Sequence, residues 1–218
     1  MSIKSSALSS TRKGVRTPEN LCPELSTSPI PPPAPGMVML RNLPGSTLSL
    51  SLRPVSLAMD LHLIYGWISQ GHSAGSPAVD QPLRQLKQAY SSIISSDFAQ
   101  PFMGLVNNVP ICQLDIYKTR LDVISLYYGA LPGDYGLHLL SAPQAKRDQE
   151  AALLGACIRH FFSFPEIGRI IMDVEAGDKW MNAQMKKLGF LWHKKISKPY
   201  KIANLYICTR KSFKGLPT

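Results

Sequence analysis

Apolar and polar positions change period several times along this chain, and each change marks an element. Leu48 to Val55 reads as a strand; the spacing then lengthens, so that Leu61, Ile64, Tyr65 and Ile68 share one face of a helix over Ala58 to Ile68. A loop through Gly71, Gly75 and Pro77 leads to a second helix, from about Gln81 to Ile94. Phe102 to Val106 and Ile111 to Tyr117 flank Asn107-Asn108, a hairpin signal. Leu121 to Tyr128 has mixed periodicity and fits a strand or a loop. Leu137 to Ser141 and Arg169 to Val174 read as strands around a helix from Gln149 to Phe162. A short helix, Lys179 to Leu188, is stopped by Gly189, and strands at about Leu191 to Ile196 and Ala203 to Thr209 complete the series. The expected fold is α/β (α+β), with a single mixed, mostly antiparallel sheet flanked by helices.

Residues 1–36 hold seven Ser and seven Pro, and they bury too little apolar surface to offset chain entropy, so a disordered leader is expected there and one domain over residues 37–218. A faint transit-peptide character, or a start at Met37, fits that segment equally. The longest apolar region, Leu48 to Ile68, carries Arg53, Asp60 and His62, so no membrane span is read. The four cysteines are far apart with no zinc spacing; reduced thiols, a cytoplasmic setting and no metal are expected. The net charge of +10 is uneven, because Met185 to Thr218 carries nine Lys or Arg and no acid. That field favours an anionic partner. No nucleic-acid motif accompanies it, and a phosphate-rich cofactor would use the same field.

Chemistry concentrates in two strands. Gly133-Asp134-Tyr135-Gly136-Leu137-His138-Leu139-Leu140 sets one histidine among apolar neighbours, and Ile170-Ile171-Met172-Asp173-Val174-Glu175 carries two carboxylates on one strand face. A histidine and a carboxylate on paired strands can build a proton-transfer site. Taken alone, His138 equally fits a hydrogen-bonded core histidine and Glu175 a solvated strand end. Lys146 and Arg147, before a helix, can hold a phosphate or be ordinary surface charge. Gln113 and Asp115 alternate outward on one strand face.

Four segments, in order, carry a family likeness: Asp60-Leu61-His62-Leu63-Ile64-Tyr65-Gly66-Trp67 with Gly71-His72; Pro110-Ile111-Cys112-Gln113-Leu114-Asp115-Ile116-Tyr117; the His138 strand; and Lys187-Leu188-Gly189-Phe190. With them the chain resembles the GNAT superfamily of N-acetyltransferases, which includes the histone N-acetyltransferases, and within it the acyltransferases of hydroxamate-siderophore biosynthesis (aerobactin, alcaligin, rhizobactin and mycobactin type). The resemblance covers about Leu50 to Arg210. It implies the acyl-CoA N-acyltransferase fold, acyl-CoA as co-substrate without a metal, and a small-molecule amine or hydroxylamine acceptor such as N6-hydroxylysine or N5-hydroxyornithine. In that family His138 takes the proton of the attacking nitrogen, with Glu175 orienting or sharing it and Asp173 as the alternative carboxylate. Leu139, Leu140, Lys146, Arg147 and Gln149 would meet the cofactor. Trp67, His72, Gln113 and Asp115 would line the acceptor pocket, although Trp67 on an apolar helix face also fits the core.

The chain departs from the family at the cofactor loop. The pattern Arg-Gly-x-Gly-x-Gly/Ala, whose glycines let backbone N–H groups approach the pyrophosphate, becomes Arg147-Asp148-Gln149-Glu150-Ala151-Ala152, with two acids where phosphate would lie. The motif Glu-Pro-Asp-x-x-Asn becomes Asp173-Val174-Glu175-Ala176-Gly177-Asp178, without its Pro and Asn. An acceptor of another kind, an aminoglycoside, and a binding module of this fold that no longer uses coenzyme A are the alternatives. A histidine retained in a core strand argues against the second.

Overall fold

Asn107 and Asn108 both take positive φ (49° and 63°), the left-handed geometry of a tight two-residue turn, which asparagine tolerates better than most residues. They join β3 (Ala99–Val106) to β4 (Val109–Lys118), the antiparallel pair at the centre of the fold. A computed structural model of the chain describes residues 39–42, 47–70, 83–199 and 201–215. The remaining elements are β1 (Met39–Asn42), β2 (Ser49–Pro54), α1 (Leu57–Ser69), α2 (Leu83–Ile94), β5 (Asp134–Ser141), α3 (Arg147–Phe161), β6 (Arg169–Glu175), α4 (Lys179–Lys187), β7 (Leu191–Lys198) and β8 (Lys201–Thr209). The strands form one eight-stranded sheet in the order β1-β2-β3-β4-β5-β6-β8-β7. Only β5 and β6 run parallel, with α3 as their crossover. The sheet is thus mixed and mostly antiparallel, as the sequence pattern predicts.

Each face of the sheet buries its own layer. Leu52, Phe102, Leu114, Ile116, Leu137, Ile170 and Met172 pack with Leu153, Cys157 and Phe161 of α3. Met103 and Leu105 point the other way, onto Leu61, Ile64 and Trp67 of α1 and Leu86 and Tyr90 of α2. Past these helices the same face continues into a third cluster of Tyr117, Ile124, Tyr128, Ile171, Ala203 and Leu205. The stretch of mixed periodicity resolves into two 3-10 turns, Thr119–Leu121 and Val123–Tyr127, because Asp122 caps the second by accepting from Ile124 N at 2.8 Å. Ile124 is buried there while Leu121, Val123 and Leu126 stay exposed, which is why no single period fits. The short strand β1 was not expected from the pattern; residues 1–36 lie outside the described residues. No helix among the described residues is long and apolar enough to cross a membrane.

Two local devices fix the frame around the parallel pair. Asp134, buried at the start of β5, receives both Arg169 Nε and Nη2 from the start of β6 at 2.6 Å each, and Leu131 N at 2.9 Å. Gly133 O accepts from Gly168 N and Arg169 N at 2.9 and 3.1 Å. At the end of α4, Phe190 N bonds Met185 O and Gly189 N bonds Lys186 O, the paired bonds of a Schellman cap. Gly189 sits at φ +91°, where a Cβ would come 1.8 Å from Ser212 O. Gly189→Ala is therefore expected to cost at least about 2 kcal/mol, from the left-handed strain and the displaced Ser212 segment together, read as a lowered midpoint in urea unfolding.

Candidate active site

The parallel pairing of β5 with β6 lasts three residues, Asp134–Gly136 against Arg169–Ile171, and then the strands part. Beyond the fork, 137–141 and 172–175 remain bonded to β4 and β8 on their outer sides and carry no ladder between them. Their inner edges present main-chain groups suited to an extended ligand. The opening is a cleft of about 870 Å³, lined from β5 by 137–141, from β6 by 172–175, from the α3 start by Arg147 and Glu150, from α4 by Trp180 and Met181, and by Lys198 and Lys201. That size suits a cofactor-sized ligand.

His138 lies on the floor of the cleft, its side chain 48% exposed. Its Nε2 is 3.0 Å from the Tyr117 hydroxyl and 3.8 Å from Asp173 Oδ1. Loss of hydration is the largest influence on the imidazole and lowers its pKa from the usual histidine value; Asp173 and Asp122 oppose that shift, while Lys198 and Lys201 add to it. The site therefore holds an uncharged histidine at neutral pH. Asp173 is 1% exposed, with Lys198 Nζ and Lys201 Nζ at 2.8 and 3.0 Å from Oδ2. Burial alone would push its carboxyl up, but the two ammoniums together outweigh burial and hold it below the ordinary carboxylate value. Glu175, the carboxylate ranked first from the sequence, is exposed at the end of β6 and lines the same cleft. Asp173 is the acid that the fold places beside His138, because the two occupy the same sheet face just past the fork.

At the other end of the cleft, Arg147 opens α3, whose N-terminus has no side-chain cap. Its guanidinium lies 4.8 Å from the Trp180 ring centroid and 4.0 Å from Asp178 Oδ1. Leu139 and Leu140 line the cleft from β5. Lys146 is exposed beside the helix start and Gln149 is half-buried in its first turn; neither lines the cleft. Of the two acids that replace the glycines, Asp148 is exposed, while Glu150 is buried and accepts from Ser141 Oγ at 2.6 Å. Burial raises the Glu150 pKa. The uncapped helix start, the exposed arginine and the open strand edges fit a diphosphate-bearing ligand such as coenzyme A.

The acceptor-side expectations fare differently. Trp67 is 3% exposed and packs in the α1–α2 layer rather than lining the cleft, because the apolar face of α1 closes on Met103 and Leu105. His72 lies outside the described residues. Gln113 and Asp115 do share the face that bears His138, and Asp115 is the register partner of His138. However, Gln113 is buried and donates from Nε2 to Asp115 Oδ1 at 2.6 Å, and neither lines the cleft. Sequence reasoning assigned no role to Tyr117, Lys198 or Lys201. Tyr117 had no signal readable along the chain: its close approach to Gly136, its register partner, where a Cβ would fall 2.0 Å from the ring, emerges only from the fold. The lysines had none beyond their place in a basic tail.

A strand fork over a crossover-helix start, with a histidine and a buried carboxylate just inside it, fits an acyl-CoA N-acyltransferase architecture, and comparison with known proteins agrees. The family model described as "Acetyltransferase (GNAT) domain" matches residues 56–198, and the chain belongs to that family. It is 28% identical over 97 residues to the N-hydroxyputrescine acetyltransferase of Acinetobacter baumannii, covering 44% of this chain and 47% of that protein. It is 27% identical over 122 residues to the lysine N-acyltransferase MbtK of Mycobacterium tuberculosis, covering 55% and 58%. The chain thus spans about half the length of the curated relatives it matches. The aminoglycoside acetyltransferase AAC(6')-Ib, solved in complex with coenzyme A, superposes with a TM-score of 0.66 at 21% identity, over 76% of this chain and 97% of that one, a likeness of fold.

Asp115 gives the site a measurable pH signature. Burial pushes its carboxyl from 3.8 up to about 6, against the restraint of the Gln113 bond. A raised folded-state value means that the native chain binds this proton more tightly than the unfolded chain, so its contribution is fully present below about pH 4 and is lost as pH rises through 6. Asp115→Asn removes that loss. Relative to the parent, the variant should gain melting temperature progressively between pH 4 and pH 6.

Proposed function

We propose that this chain is an acyl-CoA-dependent N-acyltransferase acting on an N-hydroxylated side-chain amine of the N6-hydroxylysine or N5-hydroxyornithine type, as used in siderophore biosynthesis. The observation that carries the reading is His138 facing an open cleft, with the buried carboxylate of Asp173 3.8 Å from its Nε2. Acyl-CoA supplies the acyl group as a thioester. The acceptor nitrogen attacks the thioester carbonyl, a C–N bond forms, the C–S bond breaks and coenzyme A leaves as the thiolate, to which the proton shed by the nitrogen is finally delivered to give the thiol. His138 takes the proton that the nitrogen sheds, and Asp173 stabilises the imidazolium formed. The hydroxylamine class is supported by the named activity of one curated relative, the N-hydroxyputrescine acetyltransferase, while the lysine N-acyltransferase supports only a side-chain amine acceptor. A second reading, an aminoglycoside-type acceptor, is supported by the likeness of fold to AAC(6')-Ib.

Thiol release measured over a panel of hydroxylated amines, plain lysine and aminoglycosides separates these readings; preference for an aminoglycoside or for plain lysine would remove the hydroxylamine class. His138→Ala should lower kcat about 10²-fold or more with acyl-CoA affinity unchanged, since proton transfer matters only in the transition state. If the variant instead melts several degrees lower and the folded fraction turns over normally, His138 is a structural histidine. In the parent enzyme, kcat/KM should fall at acid pH with a midpoint below 6.5, the ordinary histidine value, because only the uncharged imidazole accepts a proton.

A further inference from the structure

One nitrogen of His138 has two neighbours. Nε2 lies 3.0 Å from the Tyr117 hydroxyl and 3.8 Å from Asp173 Oδ1. The Tyr117 oxygen can donate to a bare Nε2 or accept from Nε2–H, and the two choices put the basic lone pair on opposite sides of the ring. Asp173 breaks the tie. Its carboxylate is buried, and its contacts to Lys198 and Lys201, at 2.8 and 3.0 Å, both converge on Oδ2. Oδ1 is buried without a hydrogen-bond partner and lies 3.8 Å from His138 Nε2. A lone pair on Nε2 would point at that carboxylate, whereas a proton on Nε2 presents it with positive charge.

We propose that Tyr117 is a positioning residue which, with Asp173, holds the His138 proton on Nε2 and leaves Nδ1 as the nitrogen that receives the acceptor's proton. This rests on the function proposed above. Tyr117 is built for a fixed position. Its ring is 4% exposed, lies across Gly136 where any Cβ would collide with it, and packs against the His138 ring with centroids 4.6 Å apart. Burial pushes the hydroxyl pKa far up, with Asp122, Asp173, Tyr128 and Asp115 adding to it, so the phenol stays neutral and its oxygen is available as an acceptor. The charged groups bearing on the imidazole from other elements are Asp173 on β6, Lys198 on β7, Lys201 on β8 and Asp122 in the 3-10 turns. None of them supplies a competing hydrogen bond to Nε2 in the structure. The opposite arrangement, Tyr117 donating to Nε2, would leave an N–H at Nδ1, and such a histidine could not accept a proton from that side.

The test reads the tautomer directly. In the full chain labelled with ¹⁵N-histidine, at a pH where His138 is neutral, the shifts should show Nε2 protonated and Nδ1 bare; an Nδ1–H tautomer overturns the proposal. Tyr117→Phe keeps the ring and removes the oxygen. It should shift the population towards a mixture and lower kcat about tenfold, with KM for acyl-CoA unchanged. Unchanged tautomer and kcat would exclude Tyr117 as the positioning group. Asp173→Asn, which removes the charge bias, should move the population towards Nδ1–H, and no movement would count against the electrostatic argument. Because the spectra need no turnover, the two readings fail separately. Nε2–H in a chain that acylates none of the acceptors supports the proton placement and overturns the function, whereas Nδ1–H in an active enzyme overturns the placement alone.

Discussion

The closed end of the cleft rests on one ion pair. Asp134 takes a two-pronged contact from Arg169 with both distances at 2.6 Å, and Oδ2 also accepts from Leu131 N at 2.9 Å and from the Tyr128 hydroxyl at 3.1 Å. The pair is nearly dry on the acid side, and removing one partner of such a pair typically costs about 3–5 kcal/mol because the other charge is left stranded. Its consequence is geometric. It pins the starts of β5 and β6 side by side, with Gly136 opposite Ile171 as the last ladder position before the strands separate. Side chains alternate along each strand, so Leu137 and Met172 turn to the α3 layer, and two residues past the last pair His138 and Asp173 come to the opposite face together. They are the first same-face pair beyond the fork, close enough to interact and open enough to be reached. Had the ladder continued, a ligand could not enter between them.

The electrostatics follow from that placement. A carboxylate as buried as Asp173 would ordinarily be driven towards its neutral form, and a neutral acid beside His138 could not stabilise an imidazolium. Lys198 and Lys201 prevent this. They are the paired residues at the tip of the β7–β8 hairpin, so one turn supplies both ammoniums to one oxygen. The same cations lower the histidine's proton affinity while Asp173 raises it, and desolvation decides the balance in favour of the free base. The basic C-terminal region thus has a local use that differs from binding a polyanion: two of its nine cations are committed to an internal acid.

Much of this was legible along the chain, where local signals and tertiary structure coincide. The Asn107-Asn108 turn, the stop at Gly189 and the apolar periods of α1, α3 and the inner strands each reflect a local rule that packing did not override. His138 stood out as a lone imidazole among Leu137, Leu139 and Leu140, but the residues alone fitted a core histidine as well, and only the family resemblance pointed to use. The choice between Asp173 and Glu175 was not legible, since both share one strand face and only the depth of the fork decides which is buried. Trp67 was ambiguous for the same reason: an apolar helix face reads alike whether it closes on a sheet or on a ligand. Tyr117 and the hairpin lysines reach the site through register, β4 against β5 and β7 against β8, and register is a long-range property that composition does not carry.

At the α3 end of the cleft, side chains stand where the family pattern has glycines. A glycine-rich turn brings phosphate close to bare N–H groups; side chains there would keep it away. Here the first turn of α3 carries Asp148 and Glu150, which by charge compete with a phosphate for the positive end of the helix. The fold limits that competition by turning Glu150 inward to Ser141, where burial weakens its hold on a negative charge, and by leaving Asp148 on the exposed side. Arg147 then stands at the cleft with its guanidinium 4.8 Å from the Trp180 ring centroid and 4.0 Å from Asp178 Oδ1, contacts that restrain a largely exposed side chain. A fixed arginine offers two-pronged recognition of a phosphate that backbone amides offer only at closer range. Such an arrangement would shift diphosphate recognition from main chain to side chain, while the strand fork needs no glycine to receive an extended ligand.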